Sequence, residues 1–227
     1  MVDIVSSSGI PDCMPGVFLL KPGSIKWDDS GEILDARSSV TLIISGKRKI
    51  VVDTGLEGEA EQIERALSGL GLLPEEIDCI VNTHSHPDHC GNNHLFSRAE
   101  RLAPQDGQLI CPGVWTLATP GHSMDSISVV VGPMQQAPKK ADDAPGIPII
   151  VIAGDALPTF GNFQKDIPPA LHVDRNLAIS SMNKIIALAD TVVPGHDYPF
   201  SVRKSRYLEL PFPKPSARQS AAQALTD

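Results

Sequence analysis

A chain of 227 residues with 41% hydrophobic content and a mean hydropathy of −0.03 can bury a full core, which excludes global disorder. A formal charge of −8 and a pI near 5.3 count against nonspecific binding to nucleic acid or anionic membrane, since either wants a basic face. The longest apolar run, Ile147–Gly154, is too short to span a bilayer; no secretion signal is legible at the start; and Cys13, Cys79, Cys90 and Cys111 show no CxxC spacing. The expectation is a reduced compartment, the cytoplasm with the nucleus as a second location, and no membrane partner.

In chain order, "VTLIIS" (Val40–Ser45) and "IVVDTG" (Ile50–Gly55) flank a polar "GKRK" turn and predict a hairpin. "EGEAEQIERALSGLG" switches to helical spacing, with Ile63, Ala66, Leu67 and Leu70 on one face and Gly71 as the natural stop. Pro74 opens a short helical turn, and "IDCIVNTH" (Ile77–His84) is a strand. A short helix is expected over His89–Phe96. "VWTLATPGH" (Val114–His122), "SISVVVG" (Ser126–Gly132) and "IPIIVIAGD" are further strands, with Pro133–Gly146 as an exposed Pro-rich loop between the last two. "DRNLAISSMNKIIALA" (Asp174–Ala189) is a helix with Asp174 as N-cap, "TVVPGH" (Thr191–His196) is the last strand, and residues 204–227 read as a mobile tail. "IVVDTG" and "IVIAGD" each end an apolar strand at an acidic residue, a hint of two related halves.

The chemistry concentrates in "NTHSHPDHCGN". A chain with only 7 histidines places three of them, His84, His86 and His89, around Asp88 just past a strand end, where a loop can gather them about one point. Imidazole nitrogen and carboxylate oxygen suit zinc or iron. His122 in "TPGH", Asp155 in "AGD" and His196 in "VPGH" each follow another strand, several after a glycine that lets the backbone turn tightly. Seven such ligands suffice for two metal ions sharing one carboxylate. His94 reads as a helix-surface side chain and His172 as part of an irregular stretch. Cys90, beside His89, reads as packed and inert, and Asp197 and Tyr198 flank the site.

The set "HSHPDH", "TPGH", "AGD" and "VPGH" resembles the metallo-β-lactamase-fold hydrolases, on the glyoxalase II and ribonuclease Z side, because Asp155 stands where true β-lactamases carry cysteine. The likeness runs from about Val40 to His196. It implies an αββα sandwich, two mixed sheets with outer helices, as a single domain over residues 1–203. It also implies His84, His86 and His122 as ligands of a first metal, Asp88, His89 and His196 as ligands of a second, and Asp155 as the bridge. Asp53 in "VVDTG" would support the site from behind. The metals implied are two Zn2+, with Asp88 and Asp155 orienting the water they activate. The segment from His94 to Trp115 is shorter than the family pattern, which has a further strand and part of a helix there.

"WTLATPGHSMDSISVVV" and "VVPGHDYPF" narrow the likeness to small single-domain members regarded as endoribonucleases for histone pre-mRNA 3′ ends. The resemblance therefore implies an RNA substrate, its phosphates meeting Arg203, Lys204 and Arg206. A thioesterase or glyoxalase-II-like acyl hydrolase acting on a small thioester stays open, as do a non-catalytic binding variant, a mono-iron oxygenase of the same fold, and a homodimer. No GxSxG elbow, P-loop or dinucleotide fingerprint competes.

Overall fold

The computed structural model describes residues 14–134 and 147–208. In chain order, β1 (Gly16–Lys21) leads into a separate antiparallel hairpin of β2 (Ser24–Trp27) and β3 (Ile33–Arg37). β4 (Val40–Ser45), β5 (Arg48–Val52), α1 (Ala60–Gly69), β6 (Cys79–Val81), α2 (Pro87–Cys90) and β7 (Glu100–Leu102) complete the first half. The second runs through β8 (Leu109–Cys111), β9 (Val114–Ala118), β10 (Ile127–Val131), β11 (Ile150–Gly154), α3 (Phe160–Lys165), α4 (Arg175–Leu188), β12 (Thr191–Pro194), β13 (Phe200–Ser201) and β14 (Arg206–Tyr207). One sheet has the order β1-β4-β5-β6-β7, the other β14-β13-β12-β11-β10-β9-β8.

Strands buried on both faces send alternate side chains to different cores. Ile50 and Val52 of β5 join Val129 and Val131 of β10 and Ile152 of β11 in the core between the sheets. Val51 turns the other way, against Ile63 and Leu67 of α1. Val130, Val151 and Val192 face outward on the second sheet, against Phe160 of α3 and Met182 and Ile185 of α4. Three apolar layers between helix, sheet, sheet and helix make the αββα sandwich that the sequence implies.

The two halves share a plan. β5 pairs antiparallel with β4, continues through α1, and returns as β6 parallel to β5. β11 pairs antiparallel with β10, continues through α3 and α4, and returns as β12 parallel to β11. The ends of β6 and β12 deliver the "HSHPDH" and "PGH" segments.

Helix signals were legible where caps are strong. Asp174 caps α4, accepting from the backbone N–H groups of Asn176 and Leu177, and Gly71 takes a left-handed φ of 75° just past α1. Four expectations change. The helix expected over His89–Phe96 is instead α2 plus a 3-10 turn, Asn93–Leu95. Gly91 breaks it by lying against the Leu56–Glu57 backbone, where a Cβ would fall 2.3 Å from the Glu57 nitrogen. The segment after His94 supplies two short strands: β7 closes one sheet parallel to β6, and β8 closes the other against β9. Thr191–His196 is not the last strand, for β12 ends at Pro194 and β13 and β14 follow. Residues 206–207, expected in a tail, pair with β13 instead. The Pro-rich loop at 135–146 and residues 209–227 lie outside the described residues.

Candidate metal centre

Seven side chains converge at one edge of the sandwich. His84, His86, Asp88 and His89 follow β6 and open α2, where Pro87 at its first position suits the fixed φ of a helix start. His122 follows β9, Asp155 follows β11 and His196 follows β12. Three groups of donors each lie within 4.8 Å: His84, His86 and His122; His84, His89 and Asp155; and Asp88, His89 and His196. Asp155 touches both ends of the cluster. Its Oδ2 is 3.4 Å from His122 Nε2 and 3.1 Å from His196 Nε2, and its Oδ1 is 3.3 Å from His89 Nε2. The Asp88 carboxylate is 3.5 Å from His196 Nε2.

Three of the rings, His122, His196 and His89, are aimed from behind. His122 Nδ1–H donates to the Leu171 carbonyl at 2.8 Å and His196 Nδ1–H to the Arg37 carbonyl at 3.0 Å. A carbonyl only accepts, so in its neutral form each of these two rings carries its lone pair on Nε2, the nitrogen that faces the centre. Asp53 Oδ2 accepts from His89 Nδ1 at 2.8 Å, and its carboxylate also takes Thr83 N–H and Thr83 Oγ1–H. Asp53 is 1% exposed and sits at φ 57°, a left-handed conformation that costs a non-glycine residue of order 1 kcal/mol.

A metal fits these residues. The buried atoms His84 Nε2, His89 Nε2 and Asp155 Oδ1 have no hydrogen-bond partner, although the last two lie 3.3 Å apart. They face a shared centre rather than one another. A tetrahedral zinc site with bonds of about 2.0–2.1 Å spaces its donors by roughly 3.4 Å, close to the separations here.

The electrostatics agree. Burial, helped by neighbouring His89, lowers the His84 pKa to about 2, so the ring is a neutral donor. Burial also lowers His86, with His122 adding to it. Burial opposes charging of His89, but Asp53 and Asp155 overcome it and raise its pKa; Asp155 does the same for His196. Burial works against the Asp155 carboxylate, yet His196 and His89 hold its pKa well below the ordinary value. Without an ion, the buried carboxylate is balanced by imidazolium protons, which a cation would replace.

A cavity of about 380 Å³ opens above the donors. Ile25, Trp27, Ile33 and Ala36 of the β2–β3 hairpin form one wall, and the Pro158–Leu171 segment forms the other. The polar residues Thr159 and Asn162 are spent on folding that segment: Thr159 caps α3, and Asn162 Nδ2 donates to the carbonyls of Ile167 and Pro168. Lys165 is the one cation lining the cavity among the described residues.

The other sequence candidates fall outside the cluster. Cys90 Sγ points to the His86 carbonyl at 3.2 Å, His94 is exposed on its 3-10 turn, and His172 Nδ1 meets the Pro169 carbonyl. Asp197 is a structural acceptor, taking Phe160 N–H and Tyr207 O–H. Arg203 pairs with Asp190 at 2.7 Å. Because Ser201 pairs with Thr191, this turn lies at the end of β12 opposite His196. The hairpin wall, Thr83 and the Arg37 and Leu171 carbonyls escaped sequence reading. "DDSGE" could have signalled the hairpin: Asp28 Oδ1 accepts from the N–H groups of Ser30 and Glu32, an Asx-type turn closed by Gly31.

Asp53→Asn is expected to weaken metal binding by about 10–100-fold, because an amide no longer holds the His89 Nδ1 proton and Nε2 loses its fixed lone pair. Zinc titration of the purified variant checks this; wild-type affinity would contradict it.

Comparisons with known proteins point the same way. The family model described as the metallo-beta-lactamase superfamily matches residues 35–105. "Metallo-beta-lactamase domain-containing protein 1" of Xenopus laevis is 31% identical over 220 residues, covering 88% of this chain and 87% of the relative. A protein of Methanocaldococcus jannaschii named "Probable metallo-hydrolase" is 35% identical over 65% of this chain and 70% of its own length. An N-acyl homoserine lactonase of Bacillus is 26% identical over 74% of this chain and 84% of its own length. The crystal structure of a Thermotoga maritima protein described as a metallo-beta-lactamase superposes with a TM-score of 0.62 at 17% identity, over 83% of this chain and 99% of that one. A likeness that holds at 31% identity through 87% of a relative, and meets the fold and the donors alike, shows that the chain belongs to the metallo-beta-lactamase superfamily.

Proposed function

We propose that this metallo-hydrolase holds two zinc ions, one on His84, His86 and His122 and one on Asp88, His89 and His196, with Asp155 between them. Ions bound there would acidify a water at neutral pH and neutralise charge developing on the substrate. The chain's own part is to aim the donors through Asp53, Leu171 and Arg37, to orient the water with the Asp88 and Asp155 carboxylates, and to exclude bulk solvent with the cavity walls. No side-chain nucleophile is required.

The substrate reading best supported is acyl transfer to water: a small carboxylic ester, lactone or thioester with an apolar arm. The carrying observation is the cavity, whose walls include Ile25, Trp27, Ile33, Pro158, Ile167 and Leu171, with Lys165 as the one cation among the described residues. The lactonase among the relatives supports this reading. Cleavage of an RNA phosphodiester, by analogy with histone pre-mRNA 3′ ends, is the second reading, favoured by the "WTLATPGHSMDSISVVV" and "VVPGHDYPF" phrases and by the long match to the Xenopus relative. A polyanion wants several phosphate contacts, whereas Arg203 is bound to Asp190 and stands away from His196.

The test offers zinc-loaded protein a series of thioesters, lactones and p-nitrophenyl esters of rising chain length beside a short single-stranded RNA. Chelator-sensitive acyl hydrolysis that improves with chain length is expected, with Trp27→Ala raising KM about 10-fold through lost apolar contact. RNA cleavage by the same preparation with no acyl turnover would hand the site to the second reading.

A further inference from the structure

The β2–β3 hairpin that walls the cavity has two feet, and one buried carboxylate holds both. Lys21, the last residue of β1, sends Nζ to Glu59 Oε1 at 3.2 Å, and Arg37, the last residue of β3, sends Nη1 to the same oxygen at 3.3 Å. Glu59 Oε2 accepts the Leu56 N–H at 2.8 Å, so the carboxylate is also anchored to the loop that precedes α1. The Lys21 and Glu59 side chains are 4% and 5% exposed, whereas Arg37 is half-exposed. A buried carboxylate holding two cations is costly to disturb, because removing its charge leaves Lys21 buried without a charged partner, with the Pro22 carbonyl alone as acceptor.

Both feet rest on the segment that carries His196. After Lys21, Gly23 packs so closely on that loop that a Cβ there would lie 2.2 Å from the Gly195 oxygen and 2.6 Å from the His196 Cα. The Arg37 carbonyl takes the His196 Nδ1 proton. Two residues on, Ser39 donates its N–H to the Gly195 carbonyl and its hydroxyl to the Pro194 carbonyl. Glu59 touches no metal donor and lines no part of the cavity, yet it joins the two segments that fix His196 and the apolar wall.

We infer that Glu59 is a positioning residue that clamps the feet of the hairpin, and so sets both the His196 ligand and the substrate wall. Loosening the clamp frees the hairpin and lets His196 swing, so the ion held with His196 is weakened while the one on His84, His86 and His122 is kept. Only the metal readout rests on the two-ion reading proposed above; a proteolysis readout stands without it, because Lys26 is exposed on the hairpin and offers a trypsin site.

The experiment compares wild type, Glu59→Gln and, as a control, Glu61→Gln, whose exposed carboxylate pairs with Arg65 one helical turn away. Metal-free samples are digested briefly with trypsin and cleavage after Lys26 is followed by mass spectrometry; parallel samples are titrated with zinc. Glu59→Gln is expected to speed cleavage at Lys26 several-fold and to weaken the second zinc about 10–100-fold with the first unchanged, while Glu61→Gln behaves as wild type. Should Glu59→Gln fail to fold by circular dichroism, Arg37→Met, at the half-exposed end of the clamp, carries the same two readouts. Wild-type cleavage at Lys26 in a folded clamp variant overturns the inference whatever the zinc titration gives. A wild type that binds one ion counts against the two-ion reading alone.

Discussion

Asp155→Asn is expected to leave a folded chain that hydrolyses its substrate on the order of 10²–10³-fold more slowly, the loss typical of removing one preorganised charge from a reacting centre. The reason lies in its position. Asp155 is 8% exposed, and it alone touches His122 at one end of the cluster and His89 and His196 at the other. Asparagine fills the same volume but brings no charge and turns one oxygen into an N–H donor pointed at imidazole nitrogens. On the two-ion reading proposed above, each ion would then lose a ligand, and the chain one of the two carboxylates proposed to orient water. Zinc content, circular dichroism and initial rates on one acyl substrate check the three parts separately. Full zinc occupancy with wild-type rates would remove Asp155 from the centre.

Gly195→Ala should do comparable damage without touching a donor atom. A Cβ at Gly195 would stand 2.1 Å from Asp155 Oδ1 and 3.0 Å from the backbone carbon and oxygen of Gly154. Asp155 is short and enclosed, so it cannot step aside without leaving His89 and His196. The Gly195 backbone is also committed, its N–H to the Gly154 carbonyl and its carbonyl to Ser39 N–H. Overpacking of this kind costs about 1–3 kcal/mol, and the site should bind zinc poorly even where the fold survives. Gly46→Ala is the matched control. Its φ of 59° strains a side chain, but nothing lies within 4 Å, so some stability is lost and zinc binding is not. Thermal melts with and without zinc separate the two effects; equal zinc stabilisation of Gly195→Ala and wild type would refute the steric argument.

How much of this was legible in the sequence depended on the range of the interactions. The donors could be read because they follow continuous apolar runs that mark buried strands, as in "IVIAGD", and because the strand end fixes where the next side chain goes. Asp174 could be read as a cap because capping is local. The hairpin could not be read from alternation alone: β2 is exposed along much of its length and β3 is only partly buried, so neither shows an inside and an outside. β13 and β14 have two residues each and carry no period at all. Ring orientation was out of reach for a different reason. The carbonyls that hold His122 and His196 belong to Leu171 and Arg37, 49 and 159 positions away, and any residue supplies a carbonyl. The placement of Arg203 followed from strand register, which a run of basic residues does not encode.

The donors are divided between the sheets. His84, His86, Asp88 and His89 hang from the first, and His122, Asp155 and His196 from the second, with each three-donor group that includes His122 or His196 drawing on both. Ions held there act as a clasp across the sandwich, much as a shared ligand joins two subunits. Free metal concentration then becomes a variable in the docking of one sheet on the other, contributing stability that grows with the logarithm of ion activity. Supply of the ion would therefore govern how long the molecule survives as well as how fast it turns over, and a cell that withholds the ion would lose the protein along with the reaction.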